Sequence, residues 1–195
     1  MQTLLSKLKD EVTKAANSPD FIHHEWFLKY HLEIVEKIVL ETCAIYEEAD
    51  KNVALAMVWL HDYGKMIDLP NQYEVTKVRG RELMISLGFD EEFTSQVIKY
   101  IEILDSKLTV DMNGAPLEVR ILSSADGAAH FVGPFFYLWW YENGTKNFKE
   151  LMEDNKKKAL KDWNKKIVIP EIREKFEPRF KFVIEQAGDL PEEFL

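Results

Sequence analysis

The chain has 195 residues, of which 46% are hydrophobic and 30% charged, so it suits one domain with a substantial core and not a disordered or membrane-embedded chain. Its formal net charge of -9 argues against a broad nucleic-acid-binding surface, which must be basic, although a locally basic pocket can still bind a small anion. The single cysteine, Cys43, excludes an internal disulfide and lies in an apolar periodic run that predicts a core position.

Helical periodicity dominates the first half of the chain. Residues 1–16 predict an amphipathic helix without the long apolar centre of a secretory signal, so we expect a cytoplasmic protein. A second helix is predicted from His31 to Tyr46, because its apolar residues recur at spacings of three and four. Residues 51–62 are apolar on all sides, which indicates a helix surrounded by other helices.

The second half follows the same pattern, with almost no alternation of period two. Further helices are expected at about 74–87, from about 90, after the turn cluster 111–116, from about 145, and from 170 to about 187. We therefore predict an all-α fold. The long apolar stretch 121–141 nearly reaches membrane-spanning length, but it contains Asp126, His130 and a Gly133–Pro134 break. It is better interpreted as a buried helix followed by an aromatic packing segment, with no membrane contact.

Two histidine–aspartate pairs fall in these predicted buried helices. His61 and Asp62 end the apolar helix in the sequence WLHDYGK, and Asp126 shares a helix face with His130. A buried carboxylate needs a cation, hydrogen-bond donors or water beside it. One interpretation is therefore a metal site built by His31, His61, Asp62 and Asp126. Its mixed nitrogen and oxygen donors would suit Mn, Fe, Co, Ni or Mg. The alternative is that these residues are hydrogen-bonded core residues.

The order of these four residues is similar to a known pattern. His31, His61–Asp62 about thirty residues later and Asp126 some sixty further on resemble the H...HD...D signature of the HD-domain superfamily of metal-dependent phosphohydrolases. LHDYGK also resembles the core motif of that family, and SSADGAA resembles the helix that supplies its last aspartate. The resemblance implies a single domain over 1–195, with a helical metal-binding core at 20–140 and a C-terminal helical extension at 141–195.

The resemblance also implies one divalent cation and the hydrolysis of a phosphoester, most often in a nucleotide. Residues 63–125 lack the extra histidines of the multi-metal members, which favours a single-metal hydrolase. Asp62 would act with the ion. Lys65, three residues after Asp62, would contact a phosphoryl oxygen or else pair with Asp68. His130 would orient water or protonate the leaving oxygen, or else belong to the core.

Several other residues are candidates for contact with a small phosphorylated substrate. His24 precedes His31 by seven residues and would share its stripe if one helix covered both, whereas His23 would point away. Lys77, Arg79 and Arg81 would bind further phosphates, or else form a solvated helix face. Five aromatic residues would stack on a base, or else form core or a subunit contact that makes the chain a homo-oligomer through 131–141: Phe135, Phe136, Tyr137, Trp139 and Trp140.

A different class of function remains open from the sequence. The chain would then keep the HD fold and its ion, but bind a nucleotide or a partner without turnover. A polymeric nucleic acid is not expected as a partner, because the chain is acidic.

Overall fold

The computed structural model describes residues 1–106 and 109–193. Within these ranges the chain forms helices and contains no β-strand, which confirms the predicted all-α class. In the same ranges, no helix is both long and apolar enough to cross a bilayer. The α-helices are α1 (Gln2–Ala16), α2 (Glu33–Ile45), α3 (Lys51–Leu60), α4 (Gln72–Leu87), α5 (Glu91–Asp105), α6 (Leu117–Ala129), α7 (Phe135–Glu142), α8 (Phe148–Lys161) and α9 (Pro170–Gln186).

The helix ends follow from residues that cap or break helices. Asp90 caps α5 by accepting a hydrogen bond from the backbone N–H of Phe93, and Asn147 forms a capping box with Glu150 at the start of α8. Gly88 ends α4 with a φ of 96°, a left-handed conformation that favours glycine. These local signals explain why the boundaries predicted from the sequence lie close to the observed ones.

The core lies around α3, which packs against α1, α2, α5 and α6. As its apolar composition predicted, α3 is buried on nearly all sides, from Val53 to Leu60. The second half of α6 is buried throughout as well, because α2, α3 and the C-terminal segments cover it. Cys43 is buried, as predicted, and its thiol is free. Helices α3 and α6 thus carry Asp62 and Asp126 into the interior.

Short turns that are not α-helical connect these helices near the histidines. Leu28–Leu32 and Asp162–Lys166 are π-helical turns, and Tyr63–Met66 is a 3₁₀ turn. The prediction of one helix starting at His31 is wrong in detail, because α2 begins at Glu33 and His31 lies in the wider turn before it.

Gly64 lets the 3₁₀ turn approach α4 closely. A Cβ atom at this position would lie 2.0 Å from the carbonyl oxygen of Gln72. The backbone N–H of Gly64 also donates to Thr76 Oγ1 at 2.9 Å. Only glycine fits this approach, so the residue fixes the chain directly after His61 and Asp62.

The C-terminal segment packs directly on α6. Ser124 Oγ accepts hydrogen bonds from the backbone N–H groups of Val168 (2.9 Å) and Ile169 (3.0 Å). A Cβ atom at Gly127 would lie 3.0 Å from side-chain atoms of Lys166 and Ile167, so the absence of a side chain there allows the close contact. The segment predicted as an extension therefore lies beside the residue that follows Asp126.

Candidate metal centre

Four residues named from the sequence meet at one buried point. His31 comes from the π-helical turn before α2, His61 and Asp62 from the end of α3, and Asp126 from α6. Each is at most 7% exposed. His31 Nε2 lies 3.4 Å from Asp62 Oδ2 and 3.7 Å from Asp126 Oδ1, and His61 Nε2 lies 3.4 Å from Asp62 Oδ2. The structure thus brings together the imidazoles and carboxylates that the sequence singled out.

The local structure sets the direction of the His61 ring. The backbone N–H of His61 still bonds to Met57, so the residue continues α3 by one position. Its Nδ1–H donates to the carbonyl oxygen of Val58 at 2.8 Å. In the neutral ring this leaves the lone pair on Nε2, which faces Asp62. A second hydrogen bond of this kind is typical of metal-ligating histidines.

The spacing of the donor atoms fits a divalent ion better than direct hydrogen bonding. The nitrogen–oxygen distances of 3.4–3.8 Å exceed the usual hydrogen-bond range. Two ligands on one ion, each bound at about 2.0–2.2 Å, lie about 2.8–3.6 Å apart at right or tetrahedral angles. Small inward shifts would therefore suffice. The buried histidines and aspartates can hold a metal ion, in two overlapping groups that share His31.

His130 belongs to the second of these groups. Its Nε2 lies 3.8 Å from Asp126 Oδ1, and its ring stacks on that of His31 with centroids 5.1 Å apart. Its Nδ1–H donates to Asp162 Oδ2 at 2.8 Å. Burial and the adjacent ammonium of Lys158 hold the pKa of His130 well below its ordinary value, so the ring is neutral. A neutral ring fixed in this way can orient water or bind an ion through Nε2.

Lys65 lies beside the carboxylate that faces His31 and His61. Its Nζ is 2.7 Å from Asp62 Oδ2, so the alternative of a Lys65–Asp68 pair is wrong. The chain does not stay α-helical here, but the 3₁₀ turn still places residues three apart on one side. Burial alone would raise the pKa of Asp62, yet its interactions with the His61 ring and with the ammonium of Lys65 outweigh burial and lower that pKa well below its usual range. Asp62 is therefore ionised at neutral pH.

Three charged residues of the C-terminal segment complete the centre. Lys166, which is 6% exposed, places its Nζ 2.9 Å from Asp126 Oδ2 and 3.1 Å from Asp162 Oδ1. Lys158 also pairs with the fully buried Asp162. Sequence reasoning missed these three residues. The available signal was their spacing of four, but alternating charges at that spacing usually mark a solvated helix face.

The three residues differ in how their ionisation is set. Burial opposes the charge on Lys166, but the carboxylates of Asp126 and Asp162 outweigh it and raise its pKa. The ammonium groups of Lys166 and Lys158 overcome the effect of burial on Asp162 and lower its pKa well below the ordinary value. For Lys158, burial and the nearby Lys166 lower the pKa to about 7. At neutral pH the centre therefore contains the positive charge of Lys166 and the negative charge of Asp162.

A cleft of about 290 Å³ opens onto this centre. His31, Asp126 and His130 lie in its wall, together with lysine and aromatic side chains. The lysines are Lys65, Lys158, Lys161 and Lys166, and the aromatic residues are Trp26, Phe27, Tyr73, Phe135 and Trp139. A locally basic cleft of this kind can attract an anion to a chain whose net charge is -9.

His24 does not line this cleft, whereas His23 does. The expected stripe from His24 to His31 is wrong, because residues 21–26 form turns and the helical spacing of seven does not apply. His24 Nδ1 instead donates to the carbonyl oxygen of Phe21 at 2.7 Å. His23 Nδ1 bonds to Glu142 Oε1 at 2.7 Å, which joins this turn to the end of α7.

Lys77, Arg79 and Arg81 also lie outside the wall of the cleft. They project from α4 toward carboxylates: Lys77 pairs with Glu74 and Glu102, Arg79 with Glu82, and Arg81 with Glu91. These ion pairs agree with the alternative of a solvated helix face, and a role of the three residues in substrate binding stays a prediction.

The aromatic segment divides between two environments. Phe135 and Trp139 line the cleft, whereas Phe136, Tyr137 and Trp140 face a separate cavity next to α9. Tyr137 and Tyr141 are 55% and 73% exposed. The homo-oligomer through residues 131–141 stays a prediction.

Comparison with family models, with curated proteins and with solved structures finds no match to this chain. The residues of the centre and the motif that they form are therefore the basis for a proposed function.

Proposed function

We propose that the protein is a metal-dependent phosphohydrolase of the HD type that hydrolyses a phosphoester in a nucleotide or another small phosphorylated metabolite. The observation that carries the proposal is the meeting of His31, His61, Asp62 and Asp126 at one buried point, of which His31 and Asp126 line a lysine-rich cleft. These four residues would hold one divalent ion, of the Mn, Co, Ni, Fe or Mg type. When bound, such an ion supplies Lewis-acid polarisation of a phosphoryl oxygen and makes water more acidic.

The lysines would bind the anionic part of the substrate. Lys65 lies at the cleft with 30% of its side chain exposed, so its ammonium can contact a phosphoryl oxygen while it remains near Asp62. Lys158 and Lys161 line the same cleft from α8. Phosphoryl transfer depends mainly on positioning and charge neutralisation, which is what these side chains offer.

His130 would orient the attacking water. Asp162 holds its Nδ1–H, so the lone pair on Nε2 faces Asp126 and the cleft. Phe135, whose ring centroid lies 4.1 Å from that of His130, covers the imidazole on the cleft side. Together with Trp139 it offers an apolar wall for the organic group of the substrate.

One observation favours a second function, in which the protein binds its ligand without turnover. Lys65 and Lys166 already balance the charges of Asp62 and Asp126, so the fold can hold these carboxylates without catalysis. The chain would then be a non-catalytic HD-fold protein that binds a metal and a nucleotide or a partner.

Metal titration and a substrate screen test both functions. Protein stripped with a chelator is titrated with Mn, Co, Ni, Fe or Mg, and loaded protein is tested for phosphate release from phosphomonoesters, nucleotides and cyclic nucleotides. We expect one ion per chain. His61→Ala and Asp126→Ala should lose metal binding and turnover while the helical circular dichroism remains.

The matched control is His24→Ala, because His24 lies outside the cleft. It should bind the ion and release phosphate as the parent does. Metal binding without turnover of any substrate would support the second function, and turnover retained in either metal-site variant would overturn the first.

A further inference from the structure

A second cavity, of about 350 Å³, lies between α7, α8 and α9. Its wall is mostly aromatic and aliphatic, with Phe131, Phe136, Tyr137, Phe182 and Val183 among its residues. Pockets that bind small organic molecules begin at about 300 Å³ and are mainly apolar with a few polar groups. This cavity therefore has room for one aromatic ring with short substituents.

Two residues of the cavity wall each contain an enclosed polar atom that has no hydrogen-bond partner among the described residues. Asn155 is 6% exposed and lines the cavity, and its buried Oδ1 accepts no hydrogen bond within residues 1–106 and 109–193. Trp140 Nε1, on the same wall, is buried and finds no acceptor in that part of the chain. Leaving such a group unsatisfied is unfavourable, so each normally has a protein, water or ligand partner. Because both atoms are enclosed, a ligand that carries hydroxyl or amide groups would satisfy the acceptor and the donor after a rotation of the two side chains toward the cavity.

The exposed Arg179 gives this cavity a positive group. Its guanidinium lies over the ring of Phe176 at 5.7 Å, and no carboxylate of the described residues forms an ion pair with it. The other arginines considered above, Arg79 and Arg81, are paired with glutamates. An arginine at an aromatic cavity without a carboxylate partner is suited to a ligand carboxylate, which it can bind with two hydrogen bonds.

From these observations we infer that the cavity is a binding site for a small aromatic acid that carries a hydroxyl or amide group. The ring of the ligand would contact the aromatic wall, its polar group would bond to Asn155 and Trp140, and its carboxylate would pair with Arg179. The inference is independent of the proposed hydrolase activity, although His130 lines both this cavity and the cleft of the metal centre.

The test uses the full chain and three probes: 3-(4-hydroxyphenyl)propanoate, 4-hydroxybenzoate and indole-3-acetate. Binding is measured by isothermal titration calorimetry, and the indole N–H signal of Trp140 is followed by NMR after assignment with Trp140→Phe. Ligands of this size bind with dissociation constants of about 1 mM or lower in a well-matched site. We expect at least one probe to bind with a stoichiometry of one and to shift the Trp140 signal.

Two substitutions separate this site from binding elsewhere. Val183→Trp should fill the cavity and weaken the bound probe by about tenfold or more. Arg179→Gln should weaken the acid by about tenfold but leave its methyl ester unchanged, because the ester has no charge for the guanidinium to bind. Arg79→Gln, which removes an exposed arginine on α4, is the matched control and should change neither affinity.

The outcomes are distinguishable. Absence of saturable binding by all three probes would overturn the inference. Binding that survives Val183→Trp unchanged would overturn it as well. If Val183→Trp does not fold, the loss of affinity in Arg179→Gln for the acid but not for the ester, together with the Trp140 shift, decides the matter alone.

Discussion

Removal of the buried ammonium at position 166 tests the charge arrangement of the centre most directly. We expect Lys166→Met to destabilise the metal-free protein strongly, because Asp126 and Asp162 would lose the cation that lies 2.9 and 3.1 Å from them. Methionine has a similar length and fills most of the same space, so the loss of packing is small. The effect therefore measures the cost of uncompensated carboxylates.

The magnitude follows from the burial and the partners of the pair. Removing one member of a buried ion pair costs about 3–5 kcal/mol, because the other charge remains buried. Asp162 keeps its contacts with Lys158 and His130, which moderates the loss. We expect a decrease in the free energy of unfolding of about 3–4 kcal/mol, with a melting temperature lower by about 6–16 °C for a chain of this size.

The assay is guanidinium unfolding followed by circular dichroism in the presence of a chelator. The matched control is Lys165→Met, the same substitution at the neighbouring exposed residue, which should change the free energy of unfolding by about 0.5 kcal/mol or less. Asp162→Asn should partly restore Lys166→Met, so that the double variant is more stable than additivity predicts. A difference below about 1 kcal/mol between the two lysine variants would refute the reasoning.

Three further predictions concern other parts of the fold. Gly64→Ala should destabilise the protein by about 2–3 kcal/mol in thermal unfolding, because the new methyl group meets the Gln72 carbonyl oxygen, whereas Gly114→Ala, with no atom within 4 Å of the added carbon, should stay within about 0.5 kcal/mol. Asn147→Ala should cost about 1 kcal/mol in the same assay, since it removes the capping box of α8, and an unchanged melting temperature would contradict this. The Cys43 thiol should react with Ellman's reagent at pH 8 far more slowly in folded than in unfolded protein, because burial raises its pKa and limits access; equal rates would count against it.

The fold was largely predictable because its signals are local. Gly88 and Asp90 mark the junction of α4 and α5, and Pro170 marks the start of α9, where its fixed φ suits the first helical turn. The apolar composition of residues 51–60 likewise identified the central helix. Residues 21–32 form turns that are not α-helical, so the helical spacing of seven between His24 and His31 does not apply there. For this reason His23, and not His24, lines the cleft.

The centre was predictable only in part. His61 and Asp62 are adjacent in LHDYGK, and Asp126 lies in the recognisable sequence SSADGAA. These two motifs allowed the three residues to be assigned to one site, although they are far apart in the sequence. Lys166 and Asp162 reach the centre through tertiary packing on α6, forty residues after Asp126 in the case of Lys166. No local pattern reports such a contact, because a surface helix and this buried turn share the same four-residue alternation of charge.

The two π-helical turns at Leu28–Leu32 and Asp162–Lys166 carry His31 on one side and Asp162 and Lys166 on the other. Each turn holds one residue more than an α-helical ring, and deletion of that residue would close the turn into an α-helix and redirect the side chains within it, which include His31, Asp162 and Lys166. Variation in chain length should therefore be tolerated less at these two places than single substitutions are. A deletion of one residue there would dismantle the centre while every ligand type was still present in the sequence.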